Sequence, residues 1–161
     1  MKPICLLLLT LAGGLGMAQS ADTPKEPPRF YKLDFVMRDL EAGKVITARS
    51  YSIIVSTGNG RAGIRTGNKI PVGGPDKYTM IDVGTNIDCN GVADLHDELE
   101  FELTAEVTSL LQENDPHPVV RQNRWNSHVT VPLKKPTIVF SSDDNTTKHV
   151  MQLEVTATPR T

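Results

Sequence analysis

Residues 98–108 read Glu98-Leu99-Glu100-Phe101-Glu102-Leu103-Thr104-Ala105-Glu106-Val107-Thr108. Every odd position is apolar, and every even position is an acid or a threonine. In an extended chain successive side chains point to opposite faces, so this alternation makes one dry face and one wet, acidic face. On a helix the same residues would scatter their apolar groups around the whole circumference. The segment is a half-buried strand, and its pattern sets the reading of the rest.

The same alternation appears on both sides of it. Tyr31, Leu33, Phe35 and Met37 alternate with Lys32, Asp34 and Arg38. Near the C-terminus Met151, Leu153, Val155 and Ala157 alternate with Gln152, Glu154, Thr156 and Thr158. Strands are also predicted over 45–56, 62–66, 78–89, 119–133 and 137–142. Turn-forming clusters separate them: Glu41-Ala42-Gly43, Gly58-Asn59-Gly60, Gly73-Gly74-Pro75-Asp76, Asn90-Gly91, Asp115-Pro116 and Asp143-Asp144-Asn145. About eight short strands with no sustained helical period predict an all-β fold, an antiparallel β-sandwich or partial barrel. Residues 91–97 have room for a single helical turn. Ile81, Val83, Ile87 and Cys89 share one parity, so Cys89 is expected to be a buried, inert thiol. Pro132 and Pro136 bracket the approach to the 137–142 strand and place it at a sheet edge.

The chain has 161 residues, which points to one domain. It opens with a charged Met1-Lys2, an apolar run Ile4–Leu11 and then small residues through Ala18-Gln19-Ser20. That order predicts a secretory signal peptide over residues 1–20. The apolar run is too short to cross a bilayer, so no transmembrane helix is expected in the processed chain. Residues 21–29, polar and rich in proline, form a flexible lead-in, and 30–161 form a single β domain. A formal net charge of −2 lacks the basic footprint of a nucleic-acid-binding protein. Hydrophobic residues at 39% and charged residues at 22% fit a packed core. Of the two cysteines, Cys5 lies inside the signal, which leaves Cys89 with no disulfide partner and no zinc cluster.

The chemistry-bearing residues are dispersed. His96, His117, His128 and His149 form no paired ligand motif, and Cys89, His96 and Glu98 do not have a recognised metal spacing. Asp143-Asp144-Asn145-Thr146-Thr147 is oxygen-rich, but its acids are adjacent rather than alternating, so a polar turn explains it better than a calcium loop. Asn145-Thr146-Thr147 also matches a glycosylation acceptor. Gly58–Gly63 has no Gly-Lys-Ser/Thr ending and no following helix, which makes it a hairpin rather than a phosphate loop. No nucleophile elbow is present. The acids at 100, 102 and 106 are read as a solvated strand face. No catalytic residue, metal site or cofactor is expected. The segment 118–133 gathers Arg121, Arg124, the single Trp125 and His128. Trp125 packs inward on the parity of Val129 and Val131, or stands out beside the arginines as an interface anchor. Arg121, Arg124 and Trp125 are the candidate interaction residues.

The order of segments also resembles a family. Gly67-Asn68-Lys69-Ile70-Pro71 followed by Tyr78…Ile81-Asp82-Val83-Gly84 looks like the opening of the conserved C-terminal domain of bacterial secretins. These are the outer-membrane channel proteins of type II and III secretion and of type IV pilus systems. Leu103…Glu106-Val107-Thr108-Ser109-Leu110 resembles the family's long acidic strand. Pro118…Arg121, Val129-Thr130-Val131 and Pro136-Thr137-Ile138-Val139 resemble its next two strands. The match runs over about residues 45–142, with 67–71 taken as a turn. The family's Gly-Gly-Leu is replaced by Phe140-Ser141-Ser142, and its closing signature is absent. The resemblance implies a related β topology and an envelope location, and it carries no catalytic residues.

The resulting expectation is an exported, non-enzymatic β-domain, periplasmic or outer-membrane-associated. Its role is structural or protein-binding, through an envelope partner or self-association at exposed sheet edges. The alternative is a secreted sandwich that binds a sugar or calcium, resting on Asp143-Asp144 and Trp125.

Overall fold

The computed structural model describes residues 26–58, 60–74, 77–110, 119–143 and 149–160. The signal peptide, the start of the lead-in (21–25), Asp115-Pro116, His117 and the Asp144–Thr147 part of the oxygen-rich loop lie outside them. Eight strands follow in order: β1 (Phe30–Glu41), β2 (Lys44–Ser56), β3 (Ala62–Gly74), β4 (Lys77–Asp94), β5 (Glu98–Leu110), β6 (Val120–Pro132), β7 (Thr137–Asp143) and β8 (His149–Arg160). They form two four-stranded sheets, β2-β1-β8-β7 and β3-β4-β5-β6, with every strand pair antiparallel. The sheets stack face to face without closing into a barrel, so the fold is the sandwich of the two predicted forms.

Alternation supplies the core. Tyr31, Leu33, Phe35 and Met37 of β1 and Leu153, Val155 and Ala157 of β8 face Ile87, Cys89, Leu99, Phe101, Leu103, Ala105, Val129 and Val131 of the other sheet. Phe35 and Phe101 are fully buried, each worth about 1.5–3 kcal/mol of burial. Cys89 is fully buried as well, and burial, helped by the charge of Asp88, pushes its thiol pKa up to about 12. It is an inert core side chain.

Four local expectations are corrected. The 67–71 stretch is not a turn but the middle of β3, because Gly67 stands directly opposite Gly84 of β4 and the two backbones close on each other. A Cβ at Gly84 would lie 2.1 Å from the Thr66 carbonyl oxygen, so only glycine fits. Asn90-Gly91 does not end a strand either. Between Asn90 and Ala93 the register slips by a residue, and Gly91 takes φ +60°, making a β-bulge within β4. The bulge reverses the parity and turns Val92 into the core. The helical turn allowed at 91–97 is absent, since β4 runs to Asp94 and a tight turn bonded from the Leu95 amide to the Glu98 carbonyl leads into β5. The 58–63 segment is no hairpin, because it carries the chain from β2 in one sheet to β3 in the other.

Polar contacts tie the two layers at one end. Asp94 of β4 accepts from the Tyr31 hydroxyl at 2.6 Å, from Arg29 Nη1 at 2.6 Å and from the His96 amide at 2.8 Å. Arg29 is held in turn by its backbone to Thr57, with the Thr57 amide donating to the Arg29 carbonyl at 2.9 Å. The Leu133 amide donates to the Asp97 carbonyl in the β4–β5 turn, and the Lys134 amide donates to the Ala157 carbonyl, which stitches the end of β6 to β8. β7 follows as the short edge of the first sheet, as the flanking prolines predicted.

Candidate interaction site

β6 is the outer strand of the second sheet, so its three candidate residues lie on an edge. Strand parity separates them. Trp125 shares its face with Val129 and Val131 and turns into the sandwich, opposite the small, buried Ala105 of β5. Its ring stacks on Phe140 of β7, with centroids 4.1 Å apart and planes 3° from parallel. The contact joins the edges of the two sheets and closes the sandwich on that side. The indole Nε1–H is buried there with no hydrogen-bond partner. Arg121 lies on the same inward parity and is half-buried.

Arg124 points the other way. Its side chain is 71% exposed and lies 3.9 Å from Glu106 Oε2, its cross-strand neighbour. An exposed pair at this distance is worth little for stability, which leaves the guanidinium free for other partners in energetic terms. The structure therefore does not assemble Arg121, Arg124 and Trp125 into one exposed cluster. It makes Trp125 an internal buttress and Arg124 a surface cation.

Beside Arg124 the side chains of β6 meet the polar, acidic face of β5. Asn126 donates to Thr104 Oγ1 at 2.7 Å, and His128 Nε2 contacts Glu100 Oε1. On the neighbouring strands Arg65 forks onto both carboxylate oxygens of Asp88 at 2.6 and 2.8 Å. A shallow polar hollow of about 430 Å³ opens between Arg61, Gly63, Asp88, Asn90, Thr104 and Arg124. Sequence reasoning did not find the hollow, because it draws on all four strands of the sheet. Among the described residues no three metal-ligating side chains converge; Cys89 is fully buried, whereas His96 and Glu98 are exposed. His149 is apart from these, with Nδ1 3.2 Å from Asp39 Oδ1. No helix among the described residues is long and apolar enough to cross a membrane.

No family model and no curated protein matches the chain. The fold itself falls into a class already seen: it resembles that of the secretins. The Salmonella SPI-1 type III secretion injectisome secretin InvG matches with a TM-score of 0.51 at 10% identity, over 83% of this chain and 64% of that one. The type II secretion system secretin GspD of E. coli K12 matches at 0.52 and 10% identity, over 83% of this chain and 48% of that one. Aeromonas hydrophila ExeD gives 0.52 and 10%, over 83% and 47%. This chain thus spans between 47% and 64% of those proteins. At such identity the likeness is one of fold.

Proposed function

We propose that this protein is an exported structural module of the bacterial cell envelope that works by binding protein chains and not by catalysis. The observation that carries the reading is the two-sheet architecture shared with InvG and GspD. The signal-like N-terminus supports export. A further structure of the same fold, at TM-score 0.52, is a complex of the pilotin AspS with the secretin GspD, so a protein with this architecture docks a second protein. On this chain the contact surface is assigned to the outer face of the second sheet around Arg124, with Trp125 holding the edge strand in place from behind. The sugar or calcium alternative gains no support from the geometry. The single Trp is turned inward and stacks on Phe140, and Asp143 ends β7 on its own among the described residues.

Cell fractionation with in-cell cross-linking tests the reading. The expected result is recovery in the envelope fraction, with cross-linked species that Arg124→Glu diminishes while the fold is retained. A protein that stays free and monomeric in the periplasm, with no cross-linked species, would overturn it.

A further inference from the structure

The hollow beside Arg124 follows from the register of the second sheet. Gly63, Asp88, Thr104 and Asn126 stand in one row across its four strands, on the outer face. Gly63 contributes no side chain, and a Cβ there would lie 2.8 Å from Asp88 Oδ1, so glycine keeps the floor open. Arg65, two residues on, forks onto both Asp88 oxygens and occupies that carboxylate. Two cations at the rim are not used up in this way. Arg61, just before β3, is exposed and makes no hydrogen bond or ion pair among the described residues. Arg124, on the opposite edge strand, has only the loose contact with Glu106. The Thr104 hydroxyl accepts from Asn126, which leaves its own proton to donate into the hollow, beside Asn90.

We infer that this hollow binds a single carboxylate carried by a partner polypeptide, an aspartate or glutamate side chain gripped between Arg61 and Arg124. The charges select such a guest. Arg61, Arg65 and Arg124 are offset by Asp88 and Glu106, which leaves one positive charge for one negative group. Guanidinium N–H groups are spaced to meet carboxylate oxygens in pairs. The acids of β5 set the upper limit. Glu100, Glu102 and Glu106 share the outward parity of Thr104, and they repel a run of acids, a nucleic acid or a doubly charged phosphate. The guest is therefore an isolated acid in an otherwise neutral segment. The inference rests on the protein-binding reading above and adds the chemistry that the partner presents.

An NMR titration with two end-blocked glycine peptides, one with a central glutamate and one with a central glutamine, tests the site. The glutamate peptide is expected to shift the Gly63 and Thr104 amides and the Arg124 Nε–H saturably, and the glutamine peptide to leave them unmoved. Arg61→Gln and Arg124→Gln are each expected to weaken binding about two- to fivefold, the scale of an exposed ion pair. Lys69→Gln removes a cation of the same face that lies outside the hollow, and is expected to change nothing. All three side chains are exposed, so the variants keep the fold. Equal weakening by Lys69→Gln would mean diffuse attraction to charge and overturns the site. So does a glutamine peptide that binds as well, or inorganic phosphate that binds more tightly than the glutamate peptide. If neither peptide binds while in-cell cross-links still depend on Arg124, the carboxylate site is lost and the envelope-module reading stands. If the glutamate peptide binds as expected but the protein is free of the envelope, the site stands and that reading falls.

Discussion

Asp94 is the residue through which the two layers hold each other at one end. Its carboxylate accepts from Tyr31, from Arg29 and from the His96 amide, and those bonds, the Tyr31 bond foremost, lower its pKa below the usual carboxylate range. Tyr31 responds in the opposite sense: burial, followed by the bond to Asp94, raises its pKa. The signs define two limbs. A lowered carboxylate pKa contributes stability above the unfolded-state value of about 4 and loses it as pH falls through the folded value. A raised phenol pKa contributes stability below about 10 and loses it as pH rises through the folded value. Asp94→Asn is therefore expected to flatten the acid limb of a stability-versus-pH curve, and Tyr31→Phe the alkaline limb, each costing about 1–3 kcal/mol near neutrality. Urea unfolding across pH checks both; an acid limb unchanged in Asp94→Asn would remove the latch from the account. None of this was legible beforehand, because Tyr31 and Arg29 lie 63 and 65 positions from Asp94 and no local pattern joins them. Cys89 shows the reverse case. Its shared parity with Ile81, Val83 and Ile87 was enough to place it in the core.

Elements were legible where alternation is strong and obscured where glycine serves two purposes. All eight strands stand where period-2 runs placed them, but β3 and β4 are longer than predicted. The reason is that a glycine can mark a turn or a close approach of two backbones, and a sequence does not say which. Gly67 and Gly84 are the second kind, and Gly91 makes a bulge. The Ala42-Gly43 connection of β1 and β2 is a true turn, with φ +49° and +80°, the two positive values of a type I′ hairpin. Here the sequence fits imperfectly, because alanine carries a Cβ into a region that asparagine and glycine tolerate better. Two substitutions separate the roles. Gly84→Ala forces apart backbones that leave 2.1 Å for a Cβ and is expected to destabilise by about 1–3 kcal/mol. Ala42→Asn relieves the turn and is expected to stabilise by about 0.5–1 kcal/mol. Denaturation midpoints read both, and equal effects of the same sign would contradict the distinction.

The molecule as a whole is set by which strands lie beside which, and that is what no local pattern shows. β1 pairs with β8 along its full length, Phe30 opposite Arg160, so the first and last strands lie side by side in the centre of one sheet. The candidate site suffers most from this. Arg124 and Trp125 are neighbours in sequence, yet one supports the packing and the other faces solvent, and the hollow beside Arg124 exists only once four strands are in order. The same order leaves one part weakly supported. Among the described residues β4 pairs with β5 only from Gly84 to Asp94, and the part of the β3–β4 pair before Gly84 stands as a two-stranded ribbon. Tyr78 and Met80 on it are 66% and 48% exposed, and Lys69 reaches Asp82 at 3.6 Å across solvent. A two-stranded ribbon without a third strand or a covering layer is marginally stable in water. Its amides should therefore open locally, well below the free energy of global unfolding, while those of β1, β8, β5 and the Thr85–Cys89 part of β4 open only with the whole fold. Native-state hydrogen exchange distinguishes these groups. Rapid exchange over residues 68–73 and 78–83 of the isolated protein is expected. Core-like protection there would mean that the ribbon is covered in solution by something other than its own two strands.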